Sequence, residues 1–383
     1  MVAPKLRFKE FDGDWKQETL KNLATFSKGK GISKADISED GINLCIRYGE
    51  LYTTYGQVID HIHSRTNVSK SECILSKAGD VIIPASGETQ IDIATASCVL
   101  HDDIILSGDL NILSHEENGS WLAYYLSSAK KLEIAQLAQG NSVVHLYSSQ
   151  LKDLKINKPS KEEQTKIASF LSAVDEKISQ LTQKHELLSQ YKQGMMQKLF
   201  SQQLRFKADD GSEFGEWEDK KLGDICSHFQ SGKTITSATI SDNGAYPVFG
   251  GNGLRGFTDT YTHDGIFALI GRQGALCGNI NLVQGENFIS EHAIAVQANQ
   301  ESSTQWLAMW LDFMQLNRFS ESSAQAGLAV NKLVKFDIKV PCLEEQTKIA
   351  NFLSAIDQKI EVVAQQIEQA KTWKKGLLQQ MFV

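Results

Sequence analysis

The most regular alternation of apolar and polar positions lies in two stretches of the chain. In the first, Ile167, Leu171, Val174, Ile178, Leu181, His185, Leu188, Met195 and Leu199 step by fours and threes, the spacing of a helix with one apolar seam. In the second, Ile349, Leu353, Ile356, Ile360, Val363, Ile367, Ala370, Leu377 and Met381 do the same. The stretches are copies: residues 159–200 match 341–382 at an offset of 182 without a gap, with 21 identities in 42 positions. Even the polar interruptions coincide, since Lys192 and Lys374 occupy one seam position. Ser160 and Glu163 have capping-box spacing after Pro159, which predicts that the first helix starts there. Forty residues of helix make a rod of roughly 60 Å. An apolar stripe of that length needs a partner, and the second copy supplies one.

The segments between the rods are related only at their edges. Both open with one tetrapeptide, Leu6-Arg7-Phe8-Lys9 and Leu204-Arg205-Phe206-Lys207, followed by Trp15 with Leu20, and Trp217 with Leu222. Gly29-Lys30 and Gly232-Lys233 come next. Late in each segment a helix is predicted from a Trp, over Trp121–Ala138 and Trp306–Phe319, and a strand-like run then leads to Pro159 or Pro341. The middles diverge and read as β-rich, with short apolar runs such as Asp80–Pro84 and Ile266–Ile270 punctuated by Gly and Asn. The expected organisation is a globule over 1–157, a long helix over 158–203, a second globule over 204–340 and a second long helix over 341–383. The fold class is α+β, with the helices packed as an antiparallel coiled coil and the halves related by a pseudo-two-fold axis.

Composition narrows the classes. The chain has 383 residues, 41% hydrophobic and 22% charged, which are globular values. No window approaches the roughly 18 consecutive apolar residues of a membrane span, and Met1–Glu10 lacks the apolar core of a signal peptide, so a cytoplasmic protein is expected. Cys45, Cys73, Cys98, Cys226, Cys277 and Cys342 form no C-x-x-C pair, which argues against a zinc site or a disulfide framework. The net charge of -7 divides as -4 over 1–157, +2 over 158–203, -5 over 204–340 and 0 over 341–383. Bulk electrostatics therefore argues against nucleic acid as a partner.

Two motifs invite an enzymatic reading. Gly251-Asn252-Gly253-Leu254-Arg255-Gly256 fits G-x-G-x-x-G, but a dinucleotide site needs a helix after it, and Phe257–Thr262 has strand or turn character. Gly232-Lys233-Thr234 resembles the end of a phosphate-binding loop whose earlier Gly is replaced by Ser227. No methyltransferase, nuclease or triad signature is present, so catalytic, metal and cofactor residues are expected to be absent.

The duplicated Pro159, Glu162-Glu163-Gln164-Thr165-Lys166-Ile167-Ala168 and Phe170-Leu171, recurring over 341–353, resemble the specificity subunits of type I restriction-modification systems. Ile46–Tyr52, Tyr246–Gly250 and Ile270–Gly274 resemble their target-recognition domains. The resemblance covers essentially the whole chain. It implies a non-catalytic subunit binding double-stranded DNA, each globule reading one half of a split site while the helices set the spacing. It further implies docking of two modification (methyltransferase) subunits, which carry the S-adenosylmethionine chemistry, with restriction (translocase/endonuclease) subunits as an optional further partner.

Base and phosphate contacts draw on Arg, Lys, Asn, Gln, Thr and aromatic side chains. In the first globule the candidates are Lys28, Lys30, Lys34, Arg47, Tyr48, Tyr52 and Arg65, interleaved with Tyr55, His61 and His63. Asp36, Glu39, Asp40, Glu50 and Asp60 in the same window fit an ordinary solvated surface equally well. In the second, the candidates are Lys233, Thr234, Tyr246, Asn252, Arg255, Arg272 and Gln273, with an Arg272–Asp264 ion pair as the bland alternative for that turn. His292 fits either a DNA reader or a satisfied core imidazole, and the core imidazole is the favoured reading. On the rods, Glu162, Glu163, Lys166, Glu344, Glu345 and Lys348 are expected to face outward, toward partner subunits or water. A protein-protein scaffold with two unlike globules is the competing function, and a stand-alone restriction or methyltransferase enzyme is disfavoured.

Overall fold

The computed structural model describes residues 3–140, 143–274, 276–320 and 327–382. They form two compact units, one of residues 1–182 with 365–383 and one of residues 183–364. The long helices, Lys161–Phe200 and Leu343–Met381, each contribute one part to each unit. No helix among the described residues is long and apolar enough to cross a membrane.

The first unit is built on a five-stranded sheet in the order Ala24–Lys28, Leu110–His115, Val81–Pro84, Ser97–Val99, Val58–Ile59, antiparallel except for the last pair. Its central strand is buried at every position because both faces are covered. Val81 and Ile83 enter a core with Trp15, Trp121 and Leu113, while Ile82 enters another with Ile46, Leu51 and Ile59. A four-stranded sheet, Ser64–Thr66, Asn43–Ile46, Ile105–Leu106, Ile74–Leu75, carries the second core.

In the second unit a four-stranded antiparallel sheet runs Cys226–Ser231, Ala293–Ala298, Ile266–Gly271, Ile280–Gln284. A three-stranded sheet adds Gly253–Thr258, Tyr246–Gly250 and Phe288–Ile289. The period of two again sorts the side chains. Ala268, Ile270, Ile294 and Val296 pack toward Trp306, and Phe267, Leu269, Ala293 and Ala295 toward Ile289.

Unlike middles stand on one repeated frame. An antiparallel ribbon joins Lys16–Thr19 to Lys155–Lys158 in the first unit and Glu218–Lys221 to Asp337–Val340 in the second. A helix comes after the sheets in each, Gly119–Ser128 and Thr304–Phe313, capped by Asn118 and Ser303, whose side chains accept from the amides of Trp121 and Trp306 at 3.0 and 3.3 Å. The predicted helices Trp121–Ala138 and Trp306–Phe319 are each interrupted. The first breaks before Lys131–Leu137, where the Ser128 hydroxyl donates back to the Tyr124 carbonyl. The second ends at Phe313 and passes through left-handed Gln315 (φ 48°) into a 3-10 turn at Leu316–Phe319.

The start of each long helix is a socket for its unit. Glu163 is 1% exposed, and its carboxylate accepts from Arg7 Nε and Nη2, both at 2.7 Å, and from Trp15 Nε1 at 3.3 Å. Glu345, fully buried, accepts from Arg205 Nε and Nη2 at 3.1 and 2.8 Å and from Trp217 Nε1 at 3.1 Å. Next to each lies a buried glutamine. Gln164 accepts from the Asn118 amide and donates to the Pro159 carbonyl, and Gln346 does the same with Ser303 and Pro341. These contacts correct the sequence expectation for Glu163 and Glu345, which face inward because a guanidinium and an indole N–H meet them there. They also leave the capping box half made: the Ser160 hydroxyl accepts from the Glu163 amide at 3.3 Å, but the Glu163 carboxylate is engaged elsewhere. The exposed Glu162 carboxyl is the one held low, by the backbone amide at the helix start and then by Ser160.

In the first unit Ile167, Leu171 and Val174 share a core with Leu377, Met381 and Phe382, and Ile178 lies half-buried against it. In the second, Met196, Leu199 and Phe200 share a core with Ile349, Leu353 and Ile356, beside half-buried Ile360. Leu181, Val363 and Ile367 are buried and Leu188 is half-buried. The seam lysines have partners across the helices: Lys374 pairs with Asp175 at 2.5 Å, and Lys192 with Asp357 at 2.6 Å.

Candidate nucleic-acid interface

The shared Gly-Lys pairs mark the same local device in both units. A Cβ on Gly29 would lie 1.9 Å from the Ser107 carbonyl oxygen, and one on Gly232 would lie 2.3 Å from that of Ile289. Only glycine permits so close a backbone crossing. The lysine after it is thereby fixed at its backbone, Lys30 N–H donating to the Leu106 carbonyl at 3.0 Å and Lys233 N–H to the Ile289 carbonyl at 2.8 Å. Both lysines are exposed.

In the first unit the predicted residues fall in three places. Lys28 and Lys30 lie at the end of one sheet, where Lys28 pairs with Asp109 at 3.7 Å. Arg47, Tyr48, Tyr52 and Arg65 surround the four-stranded sheet, whose register sets Leu44 opposite Arg65. Lys34 starts an exposed 3-10 turn capped by Ser33 and Asp36. Arg47 is not a free cation. Buried Glu50 accepts from its Nε and Nη2 at 3.3 and 3.0 Å, from its backbone amide at 2.8 Å, and from the Ser64 hydroxyl. Burial overturns the expectation that Glu50 is a solvated acid, and its i,i+3 spacing to Arg47 is the sequence signal for a positioned guanidinium. Tyr55 is held by burial, which raises the pKa of its hydroxyl, and that oxygen accepts from the His63 amide at 2.9 Å. Its ring lies 5.4 Å from that of His63, which meets exposed His61 at 5.2 Å.

In the second unit the hairpin turn after Tyr246–Gly250 closes on the strand Ile266–Gly271. Gly250, Gly251, Asn252, Arg255, Gln273, Leu276 and His292 line a cleft of about 350 Å³. Three predicted residues therefore converge: Asn252, Arg255 and Gln273. The glycines permit this, because a Cβ on Gly251 would lie 2.7 Å from the His292 carbonyl oxygen and 2.9 Å from Gly271 Cα. The glycine motif runs directly into the strand Gly253–Thr258, so it closes a hairpin and has no helix to carry a pyrophosphate. His292 is 51% exposed in its side chain, 3.6 Å from Glu291, and lines the cleft, which corrects the expectation of a core imidazole. Its backbone carbonyl meets the close approach of Gly251 and accepts from the Arg272 amide at 3.0 Å. Arg272 is half-buried and outside the cleft lining, and among the described residues no ion pair joins it to Asp264. Thr234 is exposed beside Lys233, whereas Tyr246 lies at the far end of its strand, its ring 5.0 Å from Tyr261.

Behind Lys233, two imidazoles are held neutral. Burial pushes His263 down to about 4, with His228 and Lys233 adding to the effect, and burial lowers His228 as well. Their rings stand 5.2 Å apart, and each packs edge-on to Phe267. Among the described residues no group of three or more His, Cys, Asp or Glu could hold a metal ion. The arrangement offers hydrogen-bond donors and acceptors on clamped backbone.

The sequence model of the type I restriction modification DNA specificity domain matches residues 12–190 and again 215–372. The chain is 35% identical over 204 residues to the type I restriction enzyme EcoprrI specificity subunit of Escherichia coli, covering 51% of this chain and 50% of that one. It is 27% identical over 283 residues to the putative type I restriction enzyme MjaX specificity subunit of Methanocaldococcus jannaschii, covering 67% and 66%. The matches thus span half to two thirds of these relatives' lengths. In a crystal structure, the type I restriction-modification S subunit from M. genitalium has the same fold, with a TM-score of 0.72 at 20% identity over 100% of this chain and 99% of that one.

The depressed histidines make the second unit acid-sensitive. Unfolded histidine takes up a proton near pH 6.5 and folded His263 only near 4, so stability is full above about 6.5 and falls as pH drops through that window. Denaturant titrations from about pH 7.5 to 4.5 should show this fall, and His263→Asn should flatten it. An unchanged slope in the variant would show that other groups carry the pH dependence.

Proposed function

The chain belongs to the type I restriction modification DNA specificity family, and from that premise we propose that it is the non-catalytic subunit that selects the DNA site of a modification complex. The observation that carries the reading is the socket built twice, Arg7–Glu163–Trp15 and Arg205–Glu345–Trp217, holding two dissimilar β domains. One frame with two different inserts fits one task performed on two different half-sites. The long helices form an antiparallel coiled coil with a pseudo-two-fold axis, which presents the domains to one duplex and sets the spacing, on the order of one helical turn or ~34 Å.

Lys30 and Lys233 serve as equivalent anchors to phosphate. Asn252, Arg255, Gln273 and His292 read base edges in the second half-site, and Arg47, steered by Glu50, with Tyr48, Tyr52 and Arg65 does so in the first. Lys28, Lys34, Thr234, Tyr246 and Arg272 add backbone contacts at the margins. Net negative charge in both domains limits non-specific affinity, so firm binding requires partner subunits that help enclose the DNA. The S-adenosylmethionine chemistry belongs to those modification subunits, and a restriction subunit is an additional partner.

The helices carry a feature that their own packing leaves unexplained. Gly194 and Gly376 stand at one repeat position inside long helices, and a Cβ on either would meet nothing within 4 Å. Glycine there costs about 1 kcal/mol relative to alanine. Three residues earlier on the same face lie Tyr191 and Trp373, still 51% and 54% exposed although the Trp373 ring meets Phe170 edge-on at 6.0 Å. A partner approaching each helix closely, twice over, accounts for both features and fits two copies of a modification subunit.

Mapping methylated bases genome-wide with and without this gene should reveal a two-part motif that disappears on deletion. Exchanging residues 1–157 for another domain should change one half alone; a motif unaltered by the exchange would contradict the assignment of domains to halves. Gly194→Gln and Gly376→Gln should preserve or raise the chain's thermal stability while each removes one modification subunit, as read by native mass spectrometry. Retention of both subunits in the double variant would place docking elsewhere.

A further inference from the structure

The two seam lysines occupy one repeat position, and each meets the repeated aspartate of the other helix. Beyond that pair their surroundings differ. In the second unit Lys192 faces Asp357 and Asp312, whose carboxyl is raised by burial while Lys192 draws it back and Asp357 pushes it up. Among the described residues no hydrogen bond from that unit's sheets reaches Lys192.

In the first unit Lys374 Nζ lies 2.5 Å from Asp175 and donates to Gln57 Oε1 at 3.0 Å, beside the Tyr124 ring at 5.5 Å. The Tyr124 hydroxyl donates to the other Asp175 oxygen at 2.6 Å, so the aspartate is held from two sides. Gln57 belongs to the segment that leads into the strand Val58–Ile59. Its carbonyl accepts from the Cys98 amide at 2.9 Å, and the neighbouring Gly56 carbonyl accepts from the Ser97 hydroxyl at 2.7 Å. Two residues before it is Tyr55, whose hydroxyl and ring hold His63 against His61. An unbroken path of contacts therefore runs from a lysine on the second long helix to an exposed aromatic group on the first domain.

We propose that Gln57 is a positioning residue: its bond to Lys374 fixes the Tyr55–His63 segment on the long helices, so that reading of the first half-site depends on the helix pair through this contact. The second domain has no counterpart among the described residues and is positioned by its socket and apolar core. The proposal rests on the DNA-reading function above and adds an asymmetry that the repeat alone would not suggest. Gln57 is not one of the reading residues, and it acts through Tyr55, whose amide donates at 2.9 Å to the carbonyl of Glu50, the residue that holds Arg47, and through His63 and His61 beside it. Because the lysine is charged and mostly enclosed, its bond to the amide oxygen is stronger than a bond between neutral groups.

The test uses the assembled complex of this chain with its modification subunits. Methylation rates are measured on duplexes carrying the native two-part site, and on duplexes with single-base changes in either half. Gln57→Ala leaves the Lys374–Asp175 pair in place. It should lower discrimination in the first half roughly tenfold, the loss of one charge-assisted hydrogen bond, with discrimination in the second half unchanged and the thermal midpoint lowered by no more than about 5 °C. Lys374→Met should reproduce this effect without adding to it in the double variant, and Lys192→Met should leave the first half untouched. Native discrimination in both halves of Gln57→Ala, or an equal loss in both, would overturn the proposal. A wild-type complex with no two-part motif would instead sink the function reading beneath it, and these outcomes are distinguishable because the wild type is measured first.

Discussion

A buried carboxylate at the first turn of each long helix is the interaction on which the rest of the structure depends. Glu163 and Glu345 are removed from water and satisfied by a guanidinium from the opening segment of the globular domain and by the indole N–H of its first tryptophan. A charge so enclosed is tolerable only with all its partners in place, and loss of one partner of such a pair costs about 3–5 kcal/mol. The carboxylate therefore dictates where the opening segment of each domain lies. The adjacent glutamine dictates where the domain's Trp-bearing helix begins, through Asn118 or Ser303. Between them, one helical turn holds both ends of a domain and is indifferent to the fold of its middle.

That indifference explains how a five-stranded and a four-stranded sheet can stand on the same frame. It also bears on the acidic balance of the chain. Several of the acids are internal fixtures, Glu163 and Glu345 in the sockets and Glu50 behind Arg47, while half-buried Asp175 and Asp357 are neutralised by lysines across the helices. Net charge is thus a poor guide to the charge on any one face of a domain, and Lys30 and Lys233 are exposed cations on pinned backbone in domains of net negative charge.

The long helices are legible in the sequence because periodicity and repetition coincide, so a helix that is its neighbour's copy needs no tertiary information to be recognised. Arg7 and Trp15 are visible as repeated markers, but their role is not. Their partner lies about 150 residues away, and an acid in a first helical turn is ordinarily solvated, where the helix dipole favours it. The same default misplaces Glu50. His292 escapes sequence reasoning for a different reason: it lines a cleft with Gly251 and Asn252, some forty residues away, and no local pattern reveals that approach. The strand or turn character expected after the glycine motif is found, as the strand Gly253–Thr258.

Hydrogen exchange on single socket variants tests most directly whether each carboxylate holds its own domain independently. Glu163→Ala should lose amide protection in the ribbon of residues 16–19 and 155–158 while that of 218–221 and 337–340 is retained. Glu345→Ala should show the reverse. Protection unchanged in both ribbons, or lost in both from either substitution, would contradict the claim that the helix repeat builds two separate sockets.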